Sequence, residues 1–173
     1  QSMIPAANRS KCTREKSFLV PAIIYWQWNY TMKYDMNRQS LTTIFNYQLM
    51  RHADSMGLTG RLNGAQLEID IDSIPSSFRY AHKGFVLFLL VAYVMSDIEI
   101  ISPVSTHLVF HYTLTQNGVV TKEGQVIIQN KDTPINNRLK SRKRFTWQYL
   151  DQYKYNLNQL SKQAVQELLS DIE

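Results

Sequence analysis

The chain of 173 residues is poor in cysteine, glycine and proline, and it has no apolar stretch long enough to form a membrane-spanning helix. Its single cysteine, Cys12, excludes an internal disulfide framework and, in a polar and basic stretch, indicates a free surface thiol. The longest wholly apolar run covers residues 84–95, whereas a transmembrane helix needs roughly 20 apolar residues. These absences favour a single domain without a transmembrane helix.

Motifs of catalysis and metal binding are also missing: there is no Gly-x-Ser-x-Gly elbow, phosphate-binding loop or paired Cys-x-x-Cys. Glu68, Asp70 and Asp72 alternate about 7 Å apart on a predicted strand, which suits a cation or an acid–base pair but is more typical of a solvated face. His107 and His111 lie about 13 Å apart along a strand, too far to chelate one metal. We therefore predict no enzyme, no cofactor and no metal site, unless a deep pocket brings these carboxylates against the histidines.

The net charge of +5 is concentrated in two segments of the chain. Residues 1–17 and 130–144 together hold ten basic and two acidic residues, and the rest of the chain holds nine and twelve. A dense basic block followed by aromatic residues is typical of surfaces that bind phosphate groups. We weigh an anionic membrane surface, a solvated connector, and nucleic acid, which is the least favoured of the three. The block comprises Arg138, Lys140, Arg142, Lys143 and Arg144.

Hydrophobic periodicity divides the chain into strands and two helices. Alternation of apolar and polar residues predicts half-buried strands, whereas apolar residues at spacings of three and four predict amphipathic helices. The dipeptide Asn117-Gly118 between two such strands predicts a type I′ hairpin. The predicted elements are a strand over 18–34, a helix from the cap residues Asp35 and Asn37 to Gly57, strands over 65–74, 84–101, 104–114 and 119–129, and a helix from Phe145 to Ile172.

The order of these elements predicts an α+β fold. We expect a mostly antiparallel five-stranded sheet in the order β-α-β-β-β-β-α, with both helices on one face and a long C-terminal helix that closes the domain. Residues 1–17 form a basic segment that is expected to be flexible. Residues 18–173 are predicted to form the single domain.

The apolar run 84–95 is the strongest functional lead, because a strand that is apolar on both faces must be covered on both faces. As one strand continued through Asp97 and Glu99, it has an even face that stays apolar and forms the core. Its odd face is apolar only at one end. We predict that this odd face is covered by the chain itself, by a partner protein, by a second copy, or by a lipid-like ligand. The predicted partner-binding residues are Phe85, Leu87, Leu89, Val91, Tyr93 and Met95.

The succession of elements over residues 18–172, together with Gln1 as the first residue, resembles small periplasmic auxiliaries of envelope transport. These are the lipopolysaccharide-assembly lipoprotein and the auxiliary lipoproteins of ABC-type transporters, which attach lipid to an N-terminal cysteine, whereas Cys12 is internal. The resemblance implies an exported, non-enzymatic accessory subunit in the periplasm or at the outer membrane that binds a larger envelope complex or lipid. The alternative is a helix-grip fold that carries a hydrophobic or lipid-like ligand in a cavity.

Overall fold

The computed structural model describes residues 6–12, 16–20, 23–104, 107–137 and 141–172, with the backbone alone described for residues 6–12 and 16–20. Within these ranges the strands form two antiparallel sheets of six and three strands. The α+β class and the C-terminal helix are confirmed, whereas the single five-stranded sheet is wrong. In chain order the elements are β1 (Ala6–Cys12), β2 (Lys16–Val20), β3 (Ile23–Asp35), α1 (Arg38–Ser55), α2 (Leu58–Arg61), β4 (Gln66–Ser73), β5 (Ser77–Leu89), β6 (Ala92–Pro103), β7 (His107–Gln116), β8 (Val119–Gln129), β9 (Ile135–Asn137) and α3 (Arg142–Ile172).

The larger sheet is built around three long strands, β3, β5 and β6, with β1 and β2 on the far side of β3 and β9 on the far side of β6. The predicted strand over 18–34 is wrong, because it is divided between β2 and β3, which run antiparallel with Val20 opposite Ile23. Pro21 lies outside the described residues, between these two strands.

The smaller sheet has the order β4-β7-β8. Asn117 and Gly118 link β7 to β8 with φ angles of 53° and 78°, and positive φ at both central residues is the signature of a type I′ turn. The predicted hairpin is therefore confirmed. On β4 the acidic residues are exposed and the aliphatic residues between them are half-buried, as the alternation predicts.

Helix α1 begins and ends where its capping residues indicate. The Asn37 side-chain oxygen accepts a hydrogen bond from the backbone N–H of Ser40 at 3.1 Å, which satisfies one of the free donors in the first turn. After the last turn, Gly57 takes a left-handed φ of 74°, a conformation that glycine adopts without steric cost. The helix buries Leu41 and Phe45 completely.

Helix α3 connects both sheets and α1 in one hydrophobic core. Its Tyr149 ring lies 5.1 Å from the ring of Phe78 on β5, and Tyr153 donates a hydrogen bond to the carbonyl oxygen of Pro75. At the other end of the helix, Asp171 accepts a hydrogen bond from Tyr112 on β7 at 3.3 Å. Tyr149 and Tyr153 are buried.

Candidate functional site

The apolar run 84–95 is a β-hairpin and not one long strand. β5 ends at Leu89, β6 begins at Ala92, and these two residues are paired across the hairpin. The turn residues Leu90 and Val91 are 77% and 96% exposed. Directly paired residues point to the same face of a sheet. After a two-residue turn the alternation of faces is therefore reversed, and the even positions of β6 share a face with the odd positions of β5.

This reversal corrects the predicted odd face. The even positions do not form one continuous core face either, since Phe88 and Val94 are exposed and the buried core resumes at Glu99 and Ile101. The six predicted partner-binding residues divide into three sets: Phe85, Leu87 and Leu89 on one face of β5, Tyr93 and Met95 on the opposite face of β6, and Val91 in the turn.

β3 lies beside the hairpin and extends its apolar character. Directly paired residues of β3, β5 and β6 form rows across the sheet, and the four rows nearest the turn contain only apolar and aromatic residues. We call these four rows together with Leu90 and Val91 the apolar end. From the turn inward, the rows are Ile23, Leu89 and Ala92; Ile24, Phe88 and Tyr93; Tyr25, Leu87 and Val94; and Trp26, Val86 and Met95.

In the part of the chain that the structure describes, the apolar end is exposed on both faces of the sheet. We call the face that packs against α3 through Phe78 the inner face, and the opposite one the outer face. On the inner face Met95 is 62% exposed, and on the outer face Val94 is 53% exposed. Ten of the eighteen large apolar side chains that are exposed among the described residues belong to this one region. Soluble proteins seldom expose contiguous apolar patches of this kind without a binding role.

Charged residues appear only beyond the apolar end. Residues 17–26 and 84–95 contain no Asp, Glu, Lys or Arg. The first charged positions on leaving the turn are Lys16, which pairs with Gln27, then Asp97 opposite Gly84, then Lys83. Asp97 is paired with His82, whose Nε2 lies 2.6 Å from the carboxylate. The boundary between apolar and charged surface is therefore sharp.

Gly84 marks this boundary and seats the indole of Trp28. An added Cβ at Gly84 would overlap the Trp28 ring and lie 2.5 Å from the backbone oxygen of Ser96. Only glycine therefore allows Trp28 and the β6 backbone to approach at this point. Here glycine is required by close packing, since its φ is not positive.

We expect Gly84→Ala to lower the free energy of unfolding by about 1–3 kcal/mol, because the methyl group overpacks the sheet. Gly60→Ala is the matched control, since a Cβ at Gly60 in α2 meets nothing within 4 Å. It should be neutral or slightly stabilising. Urea unfolding followed by circular dichroism measures both, and equal stability of the two variants would contradict the packing role of Gly84.

The predicted basic block is only partly within the described residues, since Arg138 and Lys140 lie outside them. Lys143 and Arg144 are exposed at the start of α3. Arg142 donates from Nε to Glu99 at 2.9 Å and so supports the fold as well as adding positive charge. The described part therefore presents Lys143 and Arg144 as the cations available to an anionic surface.

Glu99 is the buried acceptor of a polar network at this end of α3. Its carboxylate accepts hydrogen bonds from Tyr80 at 2.5 Å, from Asn137 at 2.6 Å and from Arg142. Burial raises the pKa of Glu99, but these hydrogen bonds and the charge of Arg142 outweigh it, so its pKa is lowered below the ordinary value. Burial and then the bond to Glu99 raise the pKa of Tyr80. The network holds β5, β6, β9 and α3 together.

Of the predicted carboxylates and histidines of the smaller sheet, Asp72 and His111 lie in contact. Asp72 lies 3.0 Å from Nε2 of His111, and both side chains are about half exposed. His111 also borders an open, polar depression of about 380 Å³, which is not the deep pocket that an acid–base pair requires. Among the described residues no group of three or more His, Cys, Asp or Glu is arranged to hold a metal.

A cavity of about 240 Å³ lies between the inner face and the start of α3. Its walls include Met32, Tyr80, Ile101 and Arg142. Ligand sites for drug-sized molecules usually occupy about 300–1,000 Å³. The cavity is therefore small for the lipid-like ligand of a helix-grip carrier.

Sequence reasoning missed the contribution of β3 to the apolar end, namely Ile23, Ile24 and Trp26, which are exposed. The sequence does contain a sign of it: residues 17–26 form a second stretch without Asp, Glu, Lys or Arg, like the run 84–95. Two charge-free stretches that pair with each other produce one apolar region.

Comparisons with known proteins identify no relative of this chain, so its geometry is the basis for interpreting the site. The chain matches no protein-family model, and no curated protein or solved structure shows significant similarity to it. Within the described ranges, none of the helices combines the length and apolarity needed to cross a bilayer.

Proposed function

We propose that this protein is a non-enzymatic accessory subunit that attaches to a hydrophobic partner through the apolar end of its larger sheet. The observation that carries the proposal is the exposure of apolar side chains, among the described residues, on both faces of the β3-β5-β6 rows and at Leu90 and Val91 in the turn. Exposing this surface has a cost in solubility, and a binding role explains why it is exposed. The resemblance of the predicted order of elements to envelope-transport auxiliaries suggests the setting, an exported subunit of a bacterial envelope complex.

We expect the purified chain to associate through this surface. Light scattering after gel filtration should show self-association without detergent, and a monomer with bound detergent in a mild non-ionic detergent. The double variant Leu90→Asp, Val91→Asp should be monomeric and bind no detergent, because the charges make burial of the turn unfavourable.

Val119→Asp, Val120→Asp is the matched control. These two valines directly follow the turn of the smaller sheet and are 65% and 55% exposed, so the control has the same chemistry and charge change at a different hairpin. It should behave as the unmodified chain. Association that persists in the Leu90→Asp, Val91→Asp variant would show that the apolar end is not the binding surface.

A further inference from the structure

We propose that the hydrophobic partner of the apolar end is the interfacial layer of a lipid bilayer, entered with Leu90 and Val91 leading. The inference rests on the proposed function, because it names the partner of the same surface. Three features support it: exposure on both faces and at the turn, the order of side-chain types away from the turn, and positive charge on the adjoining sheet.

Exposure on both faces and at the turn distinguishes a bilayer from a folded protein partner. Val94 and Met95 are adjacent on β6, point to opposite faces and are both more than half exposed, and Val91 at the turn is 96% exposed. A flat protein surface covers one face of a sheet, and an added strand covers one edge. Lipid surrounds an inserted tip on every side, so it can cover both faces and the turn together.

The order of side-chain types along the apolar end follows that of a membrane interface. The turn and the first row are aliphatic, with Leu90, Val91 and Leu89. The next three rows carry the aromatic residues, including Tyr93 and Trp26. Tyrosine and tryptophan concentrate at the headgroup level, where one end of the side chain is apolar and the other is wet.

The backbone limits how deeply the apolar end can enter. β9 pairs with β6 only at residues 99–101, and among the described strands nothing pairs with the outer edge of residues 92–98. Open sheet edges are not tolerated in the hydrocarbon core, although the four rows, at about 3.3 Å each, would reach roughly 13 Å. We therefore place the turn at the boundary of headgroups and acyl chains, about 5–10 Å deep, with Trp26 further out among the headgroups where water satisfies the edge.

Positive charge on the outer face adds a preference for anionic lipid. Lys83 lies on this face, is exposed, and is in the third row beyond the apolar rows. Arg79 and Lys33 lie on the same face four rows further out, at about 3.3 Å per row, where the charge of a membrane surface is screened, and Lys33 is paired with Asp35 at 3.2 Å. Lys16 is the first charged position beyond the apolar rows. Basic residues close to an anionic surface are attracted by about 1 kcal/mol each.

Co-sedimentation of the full chain with vesicles tests the proposal. The chain should bind phosphatidylcholine vesicles that contain phosphatidylglycerol, and should bind pure phosphatidylcholine vesicles more weakly. Leu90→Asp, Val91→Asp should weaken binding to both at least about tenfold, because two buried aliphatic side chains are lost. Val119→Asp, Val120→Asp, with the same charge change, should bind within about twofold of the unmodified chain.

Tryptophan fluorescence provides a second readout of the same insertion. In the variant Trp28→Phe, Trp147→Phe the remaining tryptophan is Trp26. Its emission should shift to the blue with vesicles and be quenched by lipids brominated near the headgroup. Circular dichroism confirms that each variant is folded.

The outcomes separate this proposal from the function on which it rests. Equal vesicle binding by the Leu90→Asp, Val91→Asp variant and the unmodified chain, or no change in Trp26 emission, overturns the bilayer as partner. Absence of vesicle binding together with turn-dependent detergent binding and self-association also overturns it, and leaves a protein partner or a second copy for the same surface. If the unmodified chain shows neither vesicle binding nor turn-dependent detergent binding and self-association, the proposed function itself is overturned.

Discussion

Phe78→Ala is expected to lower the free energy of unfolding by about 3–5 kcal/mol, which is the usual range for removing a buried phenylalanine. Phe78 is 2% exposed, and its ring contacts Tyr34 at 5.2 Å and Tyr149 at 5.1 Å between ring centroids. It therefore joins β3, β5 and α3 at one point. Removing it leaves a cavity between the larger sheet and the C-terminal helix.

Phe88→Ala is the matched control, on the same strand and the same face. Phe88 is 46% exposed in the apolar end, so its truncation should change the free energy of unfolding by less than about 1 kcal/mol. Urea unfolding followed by far-ultraviolet circular dichroism gives both values. Similar losses for the two variants would mean that the apolar end is part of the folding core and is not a free surface.

The contrast between Phe78 and Phe88 divides one continuous strand into two roles. At Phe78 the inner face is covered by α3, whereas at Phe88 the same face is exposed. The apolar residues near the turn therefore contribute little burial to the monomer. These side chains contribute hydrophobic free energy only when a partner covers them and removes their surface from water.

The two long helices and the second hairpin could be predicted because their signals are local. Asn37 caps α1 through a bond to Ser40 three residues away, and Gly57 ends that helix. Asn117 and Gly118 fix a turn by their own backbone preferences. Each of these features is specified within a few residues, so a single sequence is enough to locate it.

The turn at Leu90 and Val91 could not be located in this way, because it contains no Gly, Pro, Asn or Asp. Such residues are the usual markers of a two-residue hairpin turn. Without them the run 84–101 has the pattern of one strand. The odd positions before and after the turn are then assigned to one face, although they lie on opposite faces of the sheet. The division into two sheets is also hidden, since it depends on pairings such as Asp70 with His111 that are distant in sequence.

The composition of the candidate site was predictable, but its shape was not. The charge-free run 84–95 drew attention to Leu89, Val91 and Met95, all of which are exposed. Its pairing with Ile24 and Trp26 on β3 follows from register across the sheet. Long-range register is set by the whole fold and not by the local pattern.

Glu99→Gln is expected to lower the free energy of unfolding by about 2–3 kcal/mol at neutral pH, because hydrogen bonds to a charged group contribute about 1.5–3 kcal/mol. The substitution keeps the size of the side chain and removes the charge that Arg142 contacts at 2.9 Å. It also directs an amide toward Tyr80 or Asn137, where the carboxylate accepted. The loss should therefore exceed that of an exposed salt bridge.

Because the Glu99 carboxylate is charged in the folded state, we expect the free energy of unfolding to decrease as the pH falls. The pKa of Glu99 in the folded chain is below its reference value of 4.5, so the folded state holds the charged form more strongly than the unfolded state does. The stabilisation is then complete above that reference value and is lost as the pH falls through the folded-state pKa. The unmodified chain should lose the stabilisation by ionised Glu99 in acid, whereas Glu99→Gln lacks it at every pH. The difference in the free energy of unfolding between the two proteins should therefore shrink as the pH falls.

Urea unfolding of both proteins at neutral pH and at several values below about pH 4 measures this difference. Glu167→Gln is the control, since Glu167 is exposed on α3 and should leave the pH profile close to that of the unmodified chain. A difference between Glu99→Gln and the unmodified chain that stays constant from neutral to acid pH would show that the charge of Glu99 does not stabilise the network. A difference that shrinks in acid would identify ionised Glu99 as the group that ties β6 and β9 to the start of α3.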